Sequence, residues 1–395
     1  MKKKLLFVVV TVLALASCSS DETIAVKQDS PINFRAYTTG LTRAADASLA
    51  NGTSFKVTAF ETGGVSTSFF EDVEFTATTG TTFTSTHKYY WPAATKKLDF
   101  YAWAPASYTA TNHYSGFEIT PGTTIGSQPD FIYAVSKGWN KDGSNSGQNG
   151  GSGVTLNFRH AESKIIINLK NTNNNLKITV DKVRIGNLRG TETFTWNQCT
   201  DGAATPATVD NTDVQDAKYL DGNWTDNSAQ TSSYEVEVDA SASYNVFDGL
   251  VATARGLKAT ASDYEMILIP QELSALTQYD ATAHDFKGAF ISVDLKIENK
   301  AEPGAYLAGS SSDFITAMWP LASITWLPGH KYTYIVDLAG GGYYPTDQTS
   351  PTPDNVLDPI IDSGAEIKFL NPTIDTWITD LDGNSVADDD INVTM

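Results

Sequence analysis

Two places near the start of the chain hold residues whose type and spacing invite covalent chemistry. The first is Leu15-Ala16-Ser17-Cys18, small residues leading into a cysteine. Lys2, Lys3 and Lys4 precede it, followed by the apolar run Leu5 to Ala16, which is too short to span a bilayer alone. This is the form of a bacterial lipoprotein signal. Cleavage falls between Ser17 and Cys18, and the Cys18 thiol takes a diacylglyceryl group. The alternative is an ordinary cleaved signal that happens to hold a cysteine. Ser19-Ser20-Asp21-Glu22 makes a polar tether, and serine rather than aspartate after the cysteine points to outer-membrane sorting. Several acyl chains at ~0.8 kcal/mol per buried CH₂ make a lasting anchor.

The second place is Thr42-Arg43-Ala44, in a polar, small-residue context suited to a protease-accessible loop. Cleavage between Arg43 and Ala44 would remove a second piece; otherwise Arg43 is a solvated loop residue. Two removable pieces ahead of a secreted body imply delivery to a surface in a locked form.

The remaining chemistry-bearing residues form no recognisable constellation. The five histidines (His87, His113, His160, His284 and His330) show no metal spacing, and there is no Gly-x-Ser-x-Gly elbow or His-Glu-x-x-His. Cys199 has no neighbouring base to activate it. Asp380-Leu381-Asp382-Gly383-Asn384 departs from a calcium loop in its glycine position and in ending on Ile391, so a solvated turn is expected. The glycine-rich stretch 138–153 leads into a strand-like run rather than a helix, which argues against a phosphate cradle. Neither enzymatic activity, a metal nor a cofactor is expected.

The whole chain of 395 residues carries a formal charge of −19. Residues 1–43 hold six of its 27 basic residues and only three of its 46 acidic ones, so the body is more acidic still. Such a surface disfavours nucleic acid and anionic membranes as partners. With Cys18 lipidated, Cys199 has no partner for an internal disulfide. Burial must hold the body, and 18 Phe, 17 Tyr and 8 Trp supply aromatic packing for it.

The elements around these residues read as β-structure. Pro31 to Tyr37 alternates, with Ile32, Phe34 and Ala36 on one face, inside the piece a cut after Arg43 would remove. Losing such a strand leaves a groove and an unpaired edge. Ser54–Phe60, Leu98–Ala104, Phe131–Val135, Val154–Phe158, Lys164–Leu169, Leu176–Ile185, Tyr234–Val238 and Phe290–Ile297 follow as strands. Residues 138–153 read as a flexible linker or long loop, 191–233 as polar loops with short strands, and 340–359 as a second linker. In the tail, Ile367 and Phe369, then Ile374 and Trp377, then Ile391 and Val393, mark short strands that must pair with this molecule or the next. No long helical stripe is present, and an all-β chain of sandwiches is expected.

These features together resemble the fimbrillin family, the type V pilus subunits and related surface lipoproteins of Gram-negative anaerobes. The resemblance is carried by the Cys18 lipobox, Ile32-Asn33-Phe34 before Thr42-Arg43-Ala44, and Gly52 to Phe60. It continues through Tyr90-Trp91-Pro92, Phe100-Tyr101-Ala102, Phe158-Arg159-His160-Ala161 and Pro328-Gly329-His330-Lys331-Tyr332. It implies two tandem transthyretin-like β-sandwich domains. The organisation is then a signal peptide (1–17), a propeptide with the removable strand (18–43), N-terminal (44–150) and C-terminal (151–342) sandwiches, and a linker and tail (343–395). It further implies trimming after Arg43 by a trypsin-like protease, and polymerisation in which a C-terminal strand fills the groove of another copy or a related subunit. The place of action is the cell surface, first as an outer-membrane lipoprotein held through Cys18 and then as an extracellular fimbria serving adhesion to surface glycans or proteins. The competing reading is a monomeric lipid-anchored glycan binder, with Trp103, Trp139 and Trp224 as stacking platforms.

Overall fold

The computed structural model describes residues 31–38, 52–196, 222–275, 278–280, 285–345, 357–361 and 370–376, apart from 65, 66, 78–81, 94, 113, 145, 146 and 242. Their regular structure is strands, apart from three one-turn helices, in two successive sandwiches, and the all-β expectation is met.

The first sandwich is built from β1 (Phe34–Thr38), β2 (Ser54–Glu61), β3 (Ser68–Thr76), β4 (Thr82–Phe83), β5 (Leu98–Ala104), β6 (Phe117–Ile119), β7 (Ile132–Asn140), β8 (Gln148–Asn149) and β9 (Val154–His160). Its strands run in the order β3-β2-β5-β7-β9-β1-β4. β9 turns the corner. Its last two residues pair with β7, and its first five pair with β1. The path thereby closes into two facing layers, β3-β2-β5-β7 over β9-β1-β4. Side chains at alternate positions meet between them: Phe34 and Ala36 from β1, Phe55 and Val57 from β2, Phe100 from β5, and Val154 and Leu156 from β9.

Of the two readings of residues 138–153, the described residues fit the long loop and not the flexible linker. Trp139 is buried, and the Asn140 side chain holds the turn by accepting from Gly143 N (2.7 Å) and donating to Ser144 O (2.5 Å). Gly150 lies so close to the Trp91 ring that a Cβ would collide with it. Glycine serves close approach here, not flexibility. β9 belongs to the first sandwich, so the boundary expected at 150/151 falls one strand too early. The chain changes sandwiches at Ala161-Glu162.

The second sandwich opens with β10 (Ser163–Asn171) and the long β11 (Leu176–Arg189), followed by β12 (Glu192–Trp196), β13 (Gly222–Trp224) and β14 (Gln230–Glu237). One layer runs from Val251–Arg255 through β10 and His330–Asp337 to Thr373–Thr376. The other runs from β14 through β11, Phe290–Asn299, Ile315–Pro320 and Tyr343–Pro345 to Leu357–Pro359. β10 pairs in parallel with His330–Asp337, as β1 pairs in parallel with β9. Each sandwich therefore sets its first strand beside a late one.

The two bodies are clasped together. β12 and β13 leave the second sandwich and pair with β6 of the first in a three-stranded sheet. Phe194 from this arm packs on Phe131, Tyr133 and Trp224, while Tyr114 packs against Tyr101 and Phe117 against Trp103; together they form one cluster over the outer face of β5 and β7. β5 is consequently buried on both faces. Glu192 ties the arm's two limbs, accepting from Ser228 N (2.8 Å), Ser228 Oγ (2.7 Å) and the Thr225 hydroxyl.

At the corner itself Glu162 is 1% exposed. Its carboxylate accepts from Phe131 N–H of the first sandwich (2.9 Å), and its carbonyl accepts from Gly329 N–H of the second (2.9 Å). Burial pushes its carboxyl up to about 8, against the Phe131 hydrogen bond and with help from nearby Asp130. Asp130 in turn meets His160 Nδ1 at 2.7 Å. Since the folded value lies above the ordinary 4.5, Glu162 favours the fold most below that pH. The contribution is lost as pH rises toward 8. The wild-type melting temperature should therefore fall between about pH 6 and about pH 9 by the equivalent of roughly a few kcal/mol. Glu162→Gln, which keeps an acceptor for Phe131, should flatten that fall; an unchanged slope in thermal unfolding would refute this role.

Candidate functional site

The feature with the clearest functional geometry is the lane occupied by β1. The register with β9 is parallel, from Phe34 opposite Val154 to Thr38 opposite Phe158. On the other side Phe34 and Arg35 pair antiparallel with Phe83 and Thr82 of β4. Just upstream, Ile32 N–H donates to Tyr89 O (2.7 Å), and Asn33 O accepts from Val154 N–H (2.8 Å). β1 is the middle strand of a three-stranded layer.

Alternation sends Ile32, Phe34 and Ala36 inward, and all three are fully buried. The Phe34 ring sits edge-on to Phe75 at 4.6 Å, Phe100 at 5.1 Å and Phe55 at 6.2 Å. Such pairs add to the area each ring removes from water. The outward Arg35 lies along the rim, with its guanidinium donating to Gly153 O and Thr155 Oγ1, each at 3.4 Å. The chain rejoins the body at Gly52, whose N–H donates to Ala77 O (2.9 Å).

Of the residues proposed from sequence, Ile32, Phe34 and Ala36 are brought together in this lane. Ser17, Cys18, Arg43, Ala44, Ile367, Phe369, Trp377, Ile391 and Val393 lie outside the described residues. Ile374 is not near the lane. It sits in Thr373–Thr376, opposite Tyr332, and packs half-buried on the second core. Parts of the segment read as linker and strand-bearing tail are likewise paired with their own chain. Tyr343–Pro345 pairs with Leu357–Pro359, Leu370 N–H donates to Pro320 O (2.9 Å), and Leu370 O accepts from Ala322 N–H (3.0 Å).

The indoles suggested as sugar platforms are structural. Trp103 is fully buried with Nε1 donating to Tyr108 O (3.1 Å), and Trp139 is buried with Nε1 donating to Ser136 Oγ (2.7 Å). Trp224 is half-buried in the clasp and donates to Ala161 O (2.9 Å). Each lay near a polar stretch in the sequence, but its ring covers a β-sheet face. No group of three or more His, Cys, Asp or Glu suited to a metal occurs among the described residues. Sequence reasoning missed the Glu162 corner and the Phe194–Trp224 clasp. The available signals were an acid wedged between two apolar strands and isolated aromatics in a polar stretch.

Phe34→Ala should cost about 3–5 kcal/mol, the usual penalty for emptying a buried phenylalanine site. Denaturant unfolding of the uncut chain measures it, and a loss under about 1 kcal/mol would contradict the packing described.

Among solved structures the chain is similar to a fimbrial protein of Bacteroides vulgatus (12% identity, TM-score 0.48, covering 87% of this chain and 99% of that one). It is also similar to a Bacteroides uniformis protein assigned to cell adhesion (14% identity, TM-score 0.45, 88% and 100%). Similarities this distant carry no functional argument. No curated protein matches the sequence. The model of one protein family, described as fimbrillin-like, matches residues 42–352, and on that match across most of its length the chain belongs to the fimbrillin-like family.

Proposed function

We propose that this chain is a structural subunit of a surface fimbria, polymerised by strand exchange through the β1 lane and serving adhesion. The observation that carries the reading is the position of β1. It fills the centre of one layer of the first sandwich, yet it joins the body only through residues 39–51. Arg43 is the one lysine or arginine in that connection. A trypsin-like maturation protease would sever the strand from the body there, after which a strand of another copy or a related subunit could take its place in the lane. Main-chain hydrogen bonds to β9 and β4 would supply strength, and the sites of Ile32, Phe34 and Ala36 would supply selectivity.

The precursor would be held at the outer membrane by lipid on Cys18, and once Arg43 is cut the body would leave that anchor when the severed strand leaves the lane. Leu370 and Ile374 are engaged with their own sandwich, which disfavours Ile367, Phe369 and Ile374 as the donated piece. Residues 377–395 follow the last docked strand and reach roughly 60 Å when extended. Ile391 and Val393, at alternate positions just after Asp388-Asp389-Asp390, are its best groove-filling pair, with Trp377 nearer the root.

Native trypsin treatment of the detergent-extracted protein, read by mass spectrometry and unheated SDS gels, tests this. The cut should fall after Arg43 and spare Arg35, which is protected within β1, and ladders that collapse on boiling should follow. Removing residues 377–395 should abolish the ladder. A cut protein that remains monomeric would contradict the reading.

A further inference from the structure

We propose that cutting after Arg43 does not open the lane: the severed first strand stays seated as a bound peptide, and only a competing strand removes it. Its last step rests on the strand-exchange reading above; the retention itself does not.

Every contact that fixes β1 among the described residues lies outside the connection that would be cut. Five register pairs join it to β9 and two join it to β4. Pro31 bridges to Tyr90, and Ile32 N–H is held by Tyr89 O. Arg35 spans Gly153 and Thr155 across the rim. The inward residues Ile32, Phe34 and Ala36 are 1%, 0% and 0% exposed. Among the described residues, proteolysis therefore breaks no packing contact, and it cuts one covalent bond. Its thermodynamic effect is to exchange an intramolecular contact for a bimolecular one, which lowers the strand's effective concentration without weakening what binds it.

Spontaneous departure is disfavoured for a second reason. β9 residues 154–158 would lose all five of their β1 partners, and β4 would lose its ladder with the layer. The rings of Phe55, Phe75 and Phe100 around Phe34 would face water. An emptied lane is an unpaired, apolar sheet edge, the kind of surface that aggregates. A seated peptide keeps that edge covered until a strand of matching inward pattern displaces it. The protease would then license assembly, and the incoming subunit would trigger it. Free strand peptide would slow assembly by competing for the lane.

The test uses the full-length protein in detergent, cut with trypsin and passed through gel filtration, with intact masses read under native and denaturing conditions. The N-terminal fragment ending at Arg43 should travel with the body and separate only in denaturant. Phe34→Ala should release it at least about 100-fold faster, as expected for removal of a buried aromatic anchor. A body that elutes without the fragment overturns the proposal. If trypsin spares Arg43, a site for a second sequence-specific protease within 41–45 allows the same measurement. Adding a synthetic peptide of residues 377–395 separates the two readings. Retention with no displacement by that peptide and no polymer would sink strand exchange but support the seated strand. Polymer formation from a body that had already lost its fragment would do the reverse.

Discussion

The packing of Ile32, Phe34 and Ala36 between β9 and β4 is the constraint on which the first sandwich depends. A three-stranded layer tolerates the loss of an edge far better than the loss of its centre, and β1 is the centre. The Phe34 ring touches aromatics from β2, β3 and β5, all on the opposite layer. One short strand thus closes the ladder within its own layer and the core between layers. The second sandwich uses the same device with a different attachment. Its first strand, β10, lies parallel to His330–Asp337 but continues directly from β9 through Ala161-Glu162. Only the first sandwich has its opening strand joined through a separate stretch carrying an arginine.

The remainder of the structure keeps that lane in a fixed frame. Glu162 hydrogen-bonds to both bodies at the corner, and the β12–β13 arm lays Phe194 and Trp224 over the back of the sheet that faces β1. A force applied along such a molecule would pass through the clasp and the corner together. Relative domain motion is the usual expectation for a two-domain chain unless the interface is large and apolar. Here the aromatic clasp supplies that interface.

Much of the fold was legible in the sequence because burial on one face of a strand writes itself as alternation. Pro31 to Tyr37, Ser54 to Phe60 and Phe290 to Ile297 each state their inward face directly. Alternation says nothing about what covers the other face. Trp103 reads as an exposed platform because its own alternation does not show that Phe117 packs on it, or that Phe194 and Trp224 complete the same cluster from a distant stretch rich in Thr, Asp and Asn. Composition did not separate linker from loop at 138–153 for a related reason: glycine there permits backbone to approach Trp91, and asparagine ties the turn, so a flexible-looking sequence is fixed by its surroundings. The lane was legible as a strand and as a severable piece. Its place at the centre of a layer was not, because parallel pairing with β9 joins residues more than a hundred positions apart.

The most direct measurement is an electron cryo-microscopy map of assembled filaments in which the density between β9 and β4 can be traced. Strand exchange predicts that this density runs into residues beyond Thr376 of a neighbouring subunit. Density that runs instead into Pro31–Thr38 and on through 39–51 to Gly52 of the same chain would contradict it.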